Sequence, residues 1–247
     1  MKRAAFHDFF NSSAPIILPV IHVISETQTA INIDKLIDAG IKGCFLINHD
    51  FDVATFLPII RSIRRSYNGF WIGVNFLAVT GLNAFPILAS LKNEGCHIDA
   101  YWGDDARIDE TKRRQVEAEA IAKVQKECGW IGLYFGGTAF KKQRPVNPKD
   151  YRTSAALAGN YMDVVTTSGI ATGNAAKISK IKTFRSALPD KPIALASGIT
   201  PDNAPDYEMV DCFMVSTGIN IDGDFYNIDP NKLNLLILQC QKMEGLK

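Results

Sequence analysis

The chain has 247 residues, 47% of them hydrophobic, and its 27 Lys and Arg offset 26 Asp and Glu to a net charge of +1. That length suits one large core, and the balanced, scattered charge excludes a polyanion-binding surface, so no nucleic-acid partner is expected. No apolar run of about 18 residues is present, and Asp8 interrupts the stretch where a signal peptide must be apolar, so a cytoplasmic protein without membrane insertion is expected.

Residues 1–15 read as an N-terminal arm across the bottom of a single domain spanning 1–247. A strand is predicted at 20–24, starting after Pro19 because proline cannot donate to a sheet. An amphipathic stretch at 33–39 leads to a strand at 43–47, a helix at 55–66, a strand at 70–75 and a helix at 85–94. Strand 97–102, helix 111–128 and strand 130–135 follow, then strand 163–167, helix 175–187, strands 192–196 and 211–215, and helix 229–243. Gly40, Gly69, Gly95, Gly129 and Gly159 stand just past helices, where a left-handed residue turns the chain toward the next strand.

Eight β-rich runs separated by helical spacing could close or stay open. With no Gly-x-Gly-x-x-Gly after the first strand, the pattern favours an α/β fold of the (β/α)8 TIM barrel type over an open doubly wound sheet. Cys44, Cys96, Cys128, Cys212 and Cys240 are odd in number, widely spaced and without a C-x-x-C pair, and read as buried thiols.

In a barrel the chemistry sits at the C-terminal ends of the strands. The last three loops, Thr167-Ser168-Gly169, Ser197-Gly198 and Ser216-Thr217-Gly218, set a hydroxyl beside glycine, so backbone N–H groups can approach an anion while the hydroxyl adds a hydrogen bond. Ser168, Gly169, Ser197, Gly198, Ser216, Thr217 and Gly218 are thus the predicted phosphate-binding residues, although the same residue types also build ordinary tight turns. Asp104, with Asp105 after an aromatic strand, is a candidate to move a proton or to cap the next helix. His22, inside an aliphatic run, points into the upper pocket or is a satisfied core histidine.

Asp50, with His49 and Asp52, could act at the mouth or ligate a divalent ion. No recognised ligand spacing supports a metal site, so no cofactor is assigned, with a divalent metal and FMN left open. The loop at 138–148 carries Lys141, Lys142 and Arg144 and could fold over an anionic substrate or face water. No lysine lies inside a predicted strand, which disfavours a Schiff-base aldolase of the usual barrel type.

The segment DVVTTSGIATG at 163–173 resembles the T-G-S-A-T-G stretch of the BtpA family of barrel proteins, and PIALASGITPDN at 192–203 is similar to that family's G-S-G-V-T-P-E-N. CFMVSTGI at 212–219 is similar to its last strand and loop, and residues 48–52 loosely match its N-F-G-D. The front departs: Val23-Ile24-Ser25 follows His22 in place of P-G-S-P, and the fourth loop lacks T-D-Q-G. The resemblance implies a barrel with a phosphate site and, for one branch, a role in photosystem assembly; it does not carry a reaction.

The expectation is an enzyme for a small phosphorylated metabolite, a phosphosugar or phosphoribosyl compound, of isomerase, lyase or hydrolase type, with Asp104, His22 and Asp50 acting at the reacting carbon or its proton. The alternative is a non-catalytic ligand-binding or assembly factor of the BtpA type, for which a closed mouth would speak. A homodimer is the base-rate expectation for a soluble enzyme of this size.

Overall fold

Strand pairing decides between the open and the closed sheet. A computed structural model of the chain, describing residues 1–244, has eight parallel strands: β1 (Ile16–Val23), β2 (Gly43–Asn48), β3 (Trp71–Asn75), β4 (Ala100–Gly103), β5 (Leu133–Gly137), β6 (Val164–Thr167), β7 (Ile193–Ala196) and β8 (Cys212–Val215). They pair in chain order, and β1 meets both β2 and β8, so the sheet closes into a (β/α)8 barrel.

Helices α1 (Arg3–Phe10), α2 (Glu26–Asp38), α3 (Val53–Ser66), α4 (Gly81–Asn93), α5 (Val116–Cys128), α6 (Tyr151–Ala158), α7 (Ile178–Ala187) and α8 (Pro230–Glu244) complete the element order. α1 precedes the first strand, and the connection from β7 to β8 holds a short 3-10 turn, Ala204–Tyr207.

The strands are buried almost throughout, as a parallel sheet covered on both faces requires. Their two-residue period splits the core. Ile16, Leu18 and Val20 of β1, Phe45 and Ile47 of β2, Trp102 of β4 and Phe135 of β5 belong to an inner cluster. Their neighbours Ile17, Ile21, Cys44, Leu46 and Tyr134 pack in the outer cluster with residues of the helices. Gly73 makes room inside, since a Cβ there would lie 2.3 Å from the Phe45 ring.

Phe6 and Phe10 of α1, one helical turn apart, join the inner cluster from below, edge-on to Phe135 and Trp71 at centroid distances of 6.2 and 5.5 Å. Three aspartates stand one residue before an even strand. Asp99, Asp163 and Asp211 accept the N–H of Ile72, Tyr134 and Ile193, at 2.8, 3.0 and 2.8 Å, and return their own N–H to the carbonyl of the same residue. Asp211 is fully buried and is paired by Arg3 at 2.5 Å, His7 at 2.8 Å and Arg185.

Several sequence boundaries need correction. β1 begins at Ile16, before Pro19, because its lower half pairs with β8 through Pro19 opposite Val215; the ladder to β2 starts only at Val20, just above the missing N–H. β4 and β5 start at Ala100 and Leu133, later than 97 and 130, because Asp99 ends the lead-in. α2 starts at Glu26, capped by Ser25 Oγ accepting from Gln28 N at 3.1 Å, and α5 starts at Val116, after a turn in which Gln115 binds Asp109 and Lys112. Gly40, Gly95 and Gly129 are left-handed, but Gly69 is not, and Gly159 is right-handed at φ −55°, where a Cβ would crowd Leu188 at 2.7 Å. All five cysteines are free; Cys128 is half-buried and the other four buried.

Asp211 gives the fold a pH signature. Burial pushes its carboxyl up, but His7, Arg185, Arg3 and the Ile193 N–H outweigh that and hold it below the usual carboxylate range. Its contribution is therefore present above the unfolded value of about 3.9 and is lost as pH falls through the lower folded value. D211N should destabilise the chain by about 3 kcal/mol in urea unfolding at pH 7, by stranding buried cations, and should flatten the loss of stability below about pH 4. An unchanged acid limb would show that Asp211 does not govern it.

Candidate functional site

Continuing each strand's inward register by one step fixes the polar ring at the barrel mouth. Val20 leads to His22 on β1, Ile47 to His49 beyond β2, Gly73 to Asn75 on β3 and Trp102 to Asp104 beyond β4. One cavity joins His22, His49, Trp102 and Asp104 to Lys141 and Lys142 on one side and to Thr172, Gly173, Ser197, Ser216 and Thr217 on the other. It opens toward solvent, and water can reach about 50 Å³ within it, room for a few molecules.

Asp104 is 7% exposed, and Asn75 Nδ2 donates to its Oδ1 at 3.2 Å. Burial raises its carboxyl above the usual range, against the pull of Lys142, Lys141 and the Asn75 hydrogen bond. Asn75 Oδ1 and Trp102 Nε1, both buried, have no hydrogen-bond partner. Trp102 lines the cavity, so its unmet N–H beside the buried carboxyl is a donor that a ligand there can satisfy.

His22 Nδ1 lies 3.2 Å from the Phe225 carbonyl, which can only accept, so Nδ1 carries the hydrogen and Nε2 is left as an acceptor. Its ring packs 3.8 Å from Phe225 and 4.7 Å from His49 between centroids. Burial, then His49, lowers His22 to about 3, and burial with Lys142 also lowers His49, so both rings are neutral near pH 7. Among the described residues no group of three or more His, Cys, Asp or Glu is placed to hold a metal ion.

The seven predicted phosphate residues divide in two. Ser197, Ser216 and Thr217 line the cavity, while Ser168, Gly169, Gly198 and Gly218 do not, and Ser168 and Gly169 line a separate pocket with Tyr151 and Lys180. Ser168 is fully buried; its Oγ accepts from Lys141 N at 2.8 Å and donates to Gly169 O at 2.8 Å. A Cβ on Gly198 would come within 2.1 Å of Ala175 N, and one on Gly218 within 1.9 Å of Ile199 O, so only glycine lets these loops close.

Ser197 has φ 119°, a left-sided backbone that costs a residue with a side chain about 1–3 kcal/mol. Its Oγ accepts from Gly169 N and donates to Asn174 O, both at 3.2 Å, which holds the strained turn at the rim.

Asp50 is exposed, interacts with the Tyr226 hydroxyl and does not line the cavity. Asp52 caps α3, accepting from Thr55 N at 2.8 Å, and Asp105 accepts from Arg107 N at 2.8 Å, so both carboxylates shape turns. In the β5 loop Lys141 and Lys142 reach the mouth, whereas Arg144 turns away to Glu110, bonding both carboxylate oxygens at 2.9 and 2.6 Å. Gln143 pins this loop, its Nε2 donating to Gly137 O at 2.6 Å and to Asp104 O at 2.9 Å.

His49 and Asn75 were readable as inner residues from strand period alone. Phe225 was not, because it arrives from the long β8–α8 connection with no periodic signal.

No family model matches the chain, and no curated protein matches it. Among solved structures, the tryptophan synthase alpha chain of Legionella pneumophila subsp. pneumophila superposes with a TM-score of 0.65 at 12% identity, covering 98% of both chains. The native KDPGal structure gives 0.63 at 11% identity over 94% of this chain and 97% of that one. Phosphoribosyl anthranilate isomerase from Thermus thermophilus gives 0.60 at 13% identity over 92% and 99%. At these identities the likeness establishes the barrel fold alone. No helix among the described residues is long and apolar enough to cross a membrane.

The chain's four histidines can be resolved by NMR, with H22Q assigning the resonance of His22. That signal should stay at its neutral position from pH 8 to pH 5. Because its folded value lies below its unfolded one, His22 stabilises the fold above about pH 6.5 and loses that contribution as pH falls toward the folded value of about 3. A His22 signal titrating near 6.5 would contradict the buried, Phe225-bonded ring.

Proposed function

We propose that the chain is a barrel enzyme acting on a small phosphorylated metabolite, a phosphosugar or phosphoribosyl compound, by isomerase, lyase or hydrolase chemistry in the cytoplasm. One observation carries the reading: a single cavity brings a buried carboxyl of raised pKa together with two lysines and the hydroxyls of the last three βα loops. Ser216 and Thr217 grip the phosphate with Lys142, Ser197 contributes through the turn its hydroxyl braces, and Asp104 moves the proton at the reacting carbon. His22 stays neutral. At about 3 it is a poor base near pH 7, so its Nε2 accepts a hydrogen bond from a substrate hydroxyl.

The similarity of segments 163–173, 192–203 and 212–219 to BtpA loops supports the same grip, since those segments supply Thr172, Ser197, Ser216 and Thr217. The narrowness of the mouth favours the other reading, a barrel that binds a ligand without turning it over. For the enzyme, substrate admission requires the 141–143 segment to lift, releasing the Gln143 and Ser168 hydrogen bonds, and to re-form them once the substrate is bound.

Inorganic phosphate, and more strongly sugar phosphates, should raise the melting temperature, and S216A or T217V should weaken phosphate binding by about tenfold, one lost hydrogen bond to a charged group. Calorimetry showing no phosphate binding, or binding indifferent to both substitutions, removes the grip from these loops. For a substrate found among phosphorylated metabolites, D104N should lower kcat by about 100-fold or more with KM little changed. Unchanged turnover removes Asp104 from the chemistry, and tight binding by the wild type without turnover supports the non-catalytic reading.

A further inference from the structure

Two lysines of the upper barrel are held by burial to about 8, and the structure uses them differently. Lys180, on α7, donates to Ala139 O at 2.6 Å and to Ser168 O at 2.7 Å, with its ammonium 5.1 Å from the Tyr151 ring. It ties α7 to the β5 and β6 loops and lies outside the mouth.

Lys141 is placed by its backbone instead. Ala139 takes a left-handed φ of 46°, and Lys141 N donates to Ser168 Oγ, which fixes where the side chain leaves the loop. The side chain lines the mouth with Asp104, His22 and Thr217. Its Nζ has no hydrogen-bond acceptor among the described residues, and the Phe140 ring stands 5.8 Å away. An amine that is half-buried, unpaired and beside a buried carboxyl is arranged to react rather than to brace.

We propose that Lys141 is a nucleophile that forms an imine, and that the substrate is a phosphorylated compound with a free carbonyl, a ketose or aldose phosphate in its open-chain form. This rests on the reading of the mouth as a phosphate site. The Lys141 ammonium first gives a proton to solvent, and the amine nitrogen adds to the carbonyl carbon as the C–O π pair moves to oxygen. That oxygen takes a proton from the Asp104 carboxyl, and the nitrogen returns one to the resulting carboxylate, giving a carbinolamine and a re-protonated Asp104. The carbinolamine hydroxyl takes that proton from Asp104 and leaves as water as the nitrogen lone pair forms the C=N bond, and Asp104 regains a proton from solvent, so ammonium plus carbonyl becomes iminium plus water. The iminium then accepts the electron pair of an adjacent C–H or C–C bond, and water later returns the lysine. Desolvation assists the first step: burial holds Lys141 to about 8, below an exposed lysine, and so raises the share present as free amine near neutral pH.

The full chain is incubated with dihydroxyacetone phosphate or glyceraldehyde 3-phosphate, reduced with sodium borohydride and mapped by peptide mass spectrometry, with the thermal shift caused by inorganic phosphate recorded in parallel. The expected result is one borohydride-dependent, saturable adduct on Lys141, suppressed at least fivefold by excess phosphate. Lys180, equally depressed but bonded to carbonyls, should stay unmodified, and K141R, which keeps the charge, should lose the adduct. A phosphate shift without any Lys141 adduct overturns the imine and leaves the phosphate site standing. Labelling spread evenly over Lys141, Lys180 and surface lysines also overturns it, and absence of both shift and adduct overturns the site as well.

Discussion

At the foot of β4, β6 and β8 a carboxylate does the work of a ladder carbonyl. Asp99, Asp163 and Asp211 each exchange two hydrogen bonds with one residue of the preceding strand, main chain one way and side chain the other. Two bonds to one partner leave no room for a register slip, which in a parallel barrel would turn every inward side chain outward. Each carboxylate also collects a cation: Arg64 for Asp99, the chain's own amino terminus for Asp163, and Arg3, His7 and Arg185 for Asp211. Asp211, through Arg3 and His7, therefore holds α1 in place, while the pair at Asp99 sets the register of β3 against β4, whose upper ends carry Asn75 and Asp104.

Much of the barrel can be read from the chain because each strand is a short apolar run covered on both faces. All eight strands stand close to where composition put them. The boundaries drift where a local polar device overrides propensity, as at Asp99 before β4 and Ser25 before α2. α6 escapes the pattern because Tyr151–Ala158 is eight residues, three of them alanine, with Leu157 its one large aliphatic side chain. Pro19 shows a different limit: a residue without an N–H is tolerated in the strand because its pairing there is with β8.

Strand period and loop composition each made a part of the site legible. His22 and Asp104 follow from the alternation that makes Val20 and Trp102 inner residues, whereas Asp50 falls one step out of register and lies exposed. The hydroxyl loops were visible as composition, but which hydroxyl faces the cavity depends on closure between loops; Ser168 is drawn inward by Lys141 N, while Ser197 is held at the rim by Gly169 N. Lys141 and Lys142 reach the mouth through the path of a loop, and no spacing rule in the chain announces that path.

Inside the barrel, Gly73 and the Phe45 ring share a space that neither could occupy with a larger neighbour. The two positions lie in adjacent strands and were paired by the closure of the sheet. Their sizes are consequently coupled: a side chain placed at Gly73 is accommodated only if ring volume is given up at Phe45, so this part of the inner wall is altered by exchange between strands rather than by single replacement.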